Sequence, residues 1–275
     1  MSVHFEQETA VEPLGDGRYG VTFSRDWYVH AGPNGGIVAA VLLRACTAAV
    51  GDPNRSPRTL TVHYLGPPAE GPAEVHVRTE RAGKGISFVS ARLEQGGEAK
   101  ALALVAYGTP RAEKVAWSAR PLPVMAPPEH CPVLHHALEE PPNIHHRWET
   151  RLAIGTPNPA GPTEAAVSGG WIRASVPTPV DHVLVAALAD AWLPPVLARP
   201  GIPLLSVPTV ELTVHFRDTT TLPQIGAGDW FACSFRTDVA QEGFLEEDGL
   251  IWAADGRLVA MSRQLAVVVE RRSFP

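Results

Sequence analysis

Three polar residues stand where the other copy of a repeated pattern carries none of their type. Asp190 is the one carboxylate in His182-Val-Leu-Val-Ala-Ala-Leu-Ala-Asp190-Ala-Trp-Leu193, where helical spacing would put it on one face with Val183 and Ala187. Gln264 lies within Leu258-Val-Ala-Met-Ser-Arg-Gln-Leu-Ala-Val-Val-Val269, and Thr209 opens a strand-like stretch. Burial of a carboxyl group raises its pKa toward neutrality, where its ionised form can act as a general base. An amide and a hydroxyl each donate and accept, so the pair could hold a water or a carbonyl. Plainer readings stand beside these: a solvated helix end before Pro194-Pro195, a Gln bonded to neighbouring backbone, a Thr chosen for strand propensity.

These three residues stand out because the chain repeats itself. Leu60-Thr61-Val62-His63-Tyr64 recurs as Leu212-Thr213-Val214-His215-Phe216, 152 positions later, and each copy alternates as a half-buried strand does. An Ala/Val/Leu helix pattern precedes each copy, over 34–50 and 181–197. Three strand-like segments follow each copy, at 73–81, 86–95 and 98–108 and then at 228–238, 243–253 and 258–270. The last pair in each half is a hairpin, turned by Gln95-Gly96-Gly97-Glu98 and by Ala254-Asp255-Gly256-Arg257. Residues 5–10 and 19–23 would open the first half, and 145–150 with 170–175 the second. Aligned in this way, Asp190, Thr209 and Gln264 face Arg44, Pro57 and Val105. A polar group in one copy only marks the place to look for chemistry. His63 and His215 occur in both copies, which favours a structural role near the pseudo-twofold axis.

One apolar helix followed by antiparallel strands is buried when the sheet curls around it. The expected fold is therefore α+β, a double hot-dog of two tandem halves: 1–110, a proline-rich linker at 111–143, and 144–275. Eleven of the 27 prolines fall between 110 and 162. Two fused halves form a pseudo-dimer, and a homo-oligomer through the sheets remains open.

In these residues the chain resembles the acyl-CoA thioesterase II-type family of double hot-dog thioesterases, over roughly 18–269. His30-Ala-Gly-Pro-Asn-Gly-Gly-Ile-Val-Ala-Ala-Val looks like the family's Gly-Gly entry to its first helix. Ala189-Asp190-Ala-Trp-Leu-Pro-Pro, Pro208-Thr209-Val-Glu-Leu-Thr-Val-His-Phe and Asp255-Gly-Arg-Leu-Val-Ala-Met-Ser-Arg-Gln264 look like its segments carrying a catalytic Asp, Thr and Gln. The resemblance implies hydrolysis of an acyl thioester, acyl-CoA to fatty acid and CoA, by a water that Asp190 activates and Thr209 and Gln264 orient. Asn34, Gly35 and Gly36 would bind the substrate at a helix amino terminus, whose N–H groups can stabilise an oxyanion. Glu211-Leu212 replaces the family's Asp-His, and Gln241-Glu242-Gly243 its Ala-Arg-Gly. These departures motivate an alternative: a non-catalytic acyl-CoA or lipid binder.

Other classes are disfavoured. At 45% hydrophobic and 19% charged, the 275 residues suffice for a sizeable core. A net charge of -6, from 29 acids and 23 bases, gives nucleic acid no basic footprint. The uncharged stretch 27–43 carries His30, Pro33, Asn34, Gly35 and Gly36, unlike a membrane span, and no signal peptide is apparent, so a cytoplasmic protein is expected. Cys46, Cys131 and Cys233 read as buried thiols. His130, Cys131, His135, His136, His145 and His146 cluster without a zinc-finger spacing and read as a solvated loop, with no metal. No cofactor is expected, because there is neither a Walker nor a dinucleotide loop. Gly83-Lys84-Gly85-Ile-Ser87 fails the Gly-x-Ser-x-Gly elbow, and no hydratase-type Asp-x-Asn-x-x-His run occurs.

Overall fold

The computed structural model describes residues 5–29, 32–137, 142–155, 165–199 and 205–270. The first half runs α1 (Phe5–Glu8), β1 (Glu12–Gly15), β2 (Arg18–Phe23), α2 (Gly35–Val50), β3 (Ser56–Tyr64), β4 (Gly71–Ala82), β5 (Ile86–Gln95) and β6 (Glu98–Gly108). The second runs β7 (Trp148–Ile154), β8 (Ala166–Ala174), α3 (His182–Leu188), β9 (Leu205–Ser206), β10 (Thr209–Phe216), β11 (Phe231–Thr237), β12 (Ala240–Gln241), β13 (Phe244–Ala253), β14 (Leu258–Val267) and β15 (Val269–Glu270).

Among the described residues, thirteen strands form one sheet, in the order β1-β2-β4-β5-β6-β3-β10-β14-β13-β11-β8-β7 with β12 beside β13. Read outward from the β3–β10 seam, the two halves have the same strand order, which makes this a double hot-dog. The repeated pentapeptides meet at the seam. Thr61 lies opposite Thr213, Val62 opposite Leu212 and Leu60 opposite Val214, and the two threonine hydroxyls bond at 2.9 Å. His63 and His215 are exposed there.

Helix α2 begins where Asn34 Oδ1 accepts from the Gly36 amide and ends at Gly51, whose φ of 60° suits a left-handed cap. Ile37 through Leu43, with Ala45 and Cys46, are buried against β3–β6 and α3. Truncating such a side chain, as in Leu42→Ala, costs about 2–5 kcal/mol. No helix of the described residues is long and apolar enough to cross a membrane.

Several sequence expectations need correction. Residues 5–8 are helical because Phe5 packs on Trp27 and Trp148, with ring centroids 5.8 and 6.3 Å away, while Thr9 Oγ1 donates to the Phe5 carbonyl. Pairing with β2 falls to β1. Helix α3 is much shorter than 181–197: the chain leaves the helix after Leu188 and turns, and Pro194 and Pro195 then prevent its resumption. The opening strands of the second half lie at Trp148–Ile154 and Ala166–Ala174, and 143–146 forms a 3-10 turn instead of a strand.

The proline-rich connection lies against the outer face of the second half's sheet. Trp252 Nε1 donates to the Arg120 carbonyl and Trp171 Nε1 to that of Ala126, both at 2.9 Å, and Leu122 and Met125 pack against these indoles. Its histidines are not simply solvated. His145 is part-buried with its ring 5.9 Å from that of His135, and burial, with His135 and His146 nearby, pushes its pKa down to about 4. All three cysteines are buried free thiols.

Candidate active site

The end of α3 and the start of α2 meet around one carboxyl group. Asp190 lies in the turn that follows α3, beyond the helix on which its sequence spacing had placed it, with its amide donating to the Ala187 carbonyl. Asp190 Oδ2 accepts from Asn34 Nδ2 at 2.8 Å and from the Gly36 amide at 3.0 Å, while its main-chain oxygen accepts from Asn34 Nδ2 at 2.7 Å. Asn34 therefore caps α2 and ties the turn to it.

Burial raises the Asp190 pKa to about 6, against the opposing pull of hydrogen bonds from Gly36, Asn34, Thr209 and Gly35. The positive end of the α2 dipole also favours the charged form. The outcome is a part-buried carboxylate, ionised at neutral pH yet basic enough to take a proton.

Both glycines are required by close approach. A Cβ on Gly35 would stand 2.9 Å from Asp190 Oδ2 and 3.1 Å from the Tyr64 ring, and one on Gly36 would stand 2.5 Å from the Ala187 carbonyl oxygen. The Gly36 amide, read from sequence as an oxyanion donor, is here engaged by Asn34 Oδ1 and Asp190 Oδ2. Tyr64, from β3, donates its hydroxyl to the Gly35 carbonyl at 2.9 Å, and burial, with Asp190 and Glu211 nearby, keeps it a neutral phenol.

From the sheet, Thr209 Oγ1 donates to Gln264 Oε1 at 3.1 Å and is close enough to Asp190 to lower its pKa. A β-bulge makes this contact possible. Strict alternation would turn Thr209 outward with Glu211 and exposed His215, but an extra residue between 209 and 211 sets Thr209 opposite buried Ala266. The same irregularity sets buried Pro57 opposite Tyr107 in the first half. All six residues singled out in sequence, Asn34, Gly35, Gly36, Asp190, Thr209 and Gln264, thus gather at one place.

The sequence reading missed Tyr64 and Glu247. Glu247 lies opposite Gln264 in the β13–β14 ladder and is buried. The two-copy comparison could have found both, since Tyr64 matches Phe216 and the Glu247–Gln264 pair matches Val89–Val105. Of the two family departures, Glu211 lies near Tyr64 and Glu242 away from the site. Glu211 accepts from Thr213 Oγ1 opposite His63, and Glu242 occupies an exposed turn with φ 54°. His30, in the stretch leading into α2, lies outside the described residues. Among the described residues, no three His, Cys, Asp or Glu side chains converge as a metal site.

Comparison with known proteins agrees with this architecture. The profile of the acyl-CoA thioesterase N-terminal domain matches residues 23–109 and that of the C-terminal domain residues 128–268. A hot-dog protein of unknown function from Alicyclobacillus acidocaldarius superposes with a TM-score of 0.86 at 26% identity, over 98% of this chain and 100% of that one. The acyl-CoA thioesterase II TesB2 from Mycobacterium marinum shares the fold, with a TM-score of 0.75 at 20% identity over 98% and 100%. In sequence, 98 residues are 35% identical to the thioesterase-like protein TwmA of Talaromyces wortmannii, over 35% of this chain and 28% of TwmA. The fold defines a double hot-dog protein. The chain belongs to the acyl-CoA thioesterase family whose two domain profiles it matches in order.

Proposed function

We propose that the protein hydrolyses acyl thioesters, with acyl-CoA as the substrate class, by direct attack of water activated at Asp190. The observation that carries this reading is the Asp190 carboxylate itself: poised near neutral pH, bound by the α2 amino terminus and adjoining the Thr209–Gln264 pair.

In this scheme Thr209 and Gln264 hold the water, and Asp190 takes its proton as the oxygen adds to the thioester carbon. The tetrahedral intermediate then collapses, the C–S bond breaks, and the departing sulfur takes the proton from Asp190, leaving a carboxylic acid and a thiol. Asn34, Gly35 and Gly36 border the approach of the thioester. As Asp190 becomes neutral it is a poorer acceptor, so the amides that held it are released toward the developing oxyanion.

The test is thiol release from acyl-CoAs of graded chain length, with thioesters of a short carrier alongside because Glu242 is acidic where the family carries arginine. Asp190→Asn should lower kcat by about 10²-fold or more while substrate still binds. Saturable binding without hydrolysis of any thioester would leave the binding-protein reading in its place.

A further inference from the structure

Glu247 is a buried carboxyl that the hydrolytic scheme does not use. On β13 the inward side chains include Leu245 and Ile251, each 1% exposed, and Glu247 stands between them at 6%. Its Oε2 has no hydrogen-bond partner among the described residues. Directly across the ladder is Gln264, 7% exposed, whose side chain lowers the Glu247 pKa against the effect of burial while its Oε1 accepts from Thr209.

A buried carboxyl with one oxygen unpartnered costs stability, and the first half carries Val89 at the matching register. A cost borne in the copy that holds Asp190, and avoided in the other, calls for a role at the site. We propose that Glu247 is a positioning residue whose carboxyl clamps the Gln264 amide from the neighbouring strand, so that Oε1 stays turned to Thr209 and one N–H stays free for the reacting groups.

The charges acting on this carboxyl are negative: Asp190 beyond α3 and Glu246 on its own strand. From β11 the nearby polar group is Thr237, the residue after Arg236, which pairs with Asp248. Arg263 of β14 is exposed and bound to Asp248. Burial, and then the Asp190 charge, push the Glu247 pKa well above the usual carboxylate range, which favours its uncharged form.

The inference rests on the hydrolytic reading of the site, so it is tested by two measurements, one of which is independent of turnover. In the first, the Gln264 side-chain NH₂ resonance, assigned by its loss in Gln264→Glu, should exchange slowly in the wild type and faster in Glu247→Val. Equal exchange overturns the clamp whether or not the protein is a hydrolase. In the second, Glu247→Val should lower kcat by about 10–100-fold with little change in KM, because a displaced polar group costs rate before it costs binding. Its melting temperature should equal or exceed that of the wild type, which a structural role would not produce. Glu247→Gln keeps an acceptor for the amide and should restore most of the rate. A Glu247→Val enzyme with wild-type kcat, or a Glu247→Gln enzyme as slow as Glu247→Val, overturns the proposal. Failure of the wild type to hydrolyse any thioester refutes the reading of the site, and the exchange measurement still decides the clamp.

Discussion

Asp190 meets opposing demands. Burial raises its pKa from 3.8 to about 6, and the donors around it hold that rise in check. As the proposed base it must be ionised, so kcat/KM should fall as pH drops through about 6, well above where an ordinary aspartate would set that limb. Asn34 donates to the charged form, so Asn34→Ala should move the limb to higher pH. A pH profile of both proteins checks this, and a shift to lower pH in the variant would show that Asn34 does not stabilise the carboxylate. Stability follows the same titration. The folded state binds this proton more tightly than the unfolded chain, so the stability it contributes is fully present below about pH 3.8 and is lost as pH rises through about 6. Asp190→Asn, which remains uncharged, should therefore melt no lower than the wild type at pH 7.

At the scale of elements, the site depends on how closely α2 approaches the turn after α3, and its two glycines are constrained by different neighbours. A methyl group on Gly36 meets the Ala187 backbone, which cannot yield without separating the elements, whereas one on Gly35 meets the ends of the Asp190 and Tyr64 side chains. Gly36→Ala should thus destabilise the fold by about 1–3 kcal/mol, the usual cost of overpacking, and Gly35→Ala should lower kcat with a smaller loss of stability. Chemical denaturation beside kinetics separates the two, and equal losses of stability would contradict the distinction. Helix α2 was legible because its signals are local, with Asn34 at one end and Gly51 at the other. The end of α3 was not, because the apolar spacing of 183–193 runs on through the turn that carries Asp190. Nor was the bulge before Glu211, since alternation alone would face Thr209 outward. Nor was Glu247, because the run Glu246-Glu247-Asp248 has the pattern of a solvated edge and only pairing with β14 buries it.

At the scale of the whole molecule, duplication supplies two related places that carry different polar groups. Where Asp190 binds the cap of α2, the other copy sets Arg44 3.7 Å from Asp181, the cap of α3, with Arg44 Nε also donating to Thr9. The partners of Thr209, Gln264, Glu247 and Tyr64 there are Pro57, Val105, Val89 and Phe216, and Phe216 packs edge-on against His182 at 5.4 Å. A proline, two valines and a phenylalanine offer no side-chain donor or acceptor for a water, and a guanidinium cannot take a proton from one. In the proposed site the first copy presents the α2 amino terminus and Tyr64 to a carboxylate from the second, so that each half contributes. Titration with a non-hydrolysable acyl-CoA thioether should saturate at one ligand per chain, and Asp190→Asn should retain that single site. Two equivalents bound per chain would mean that the Arg44 side also admits acyl chains, and the asymmetry would then govern hydrolysis without governing binding.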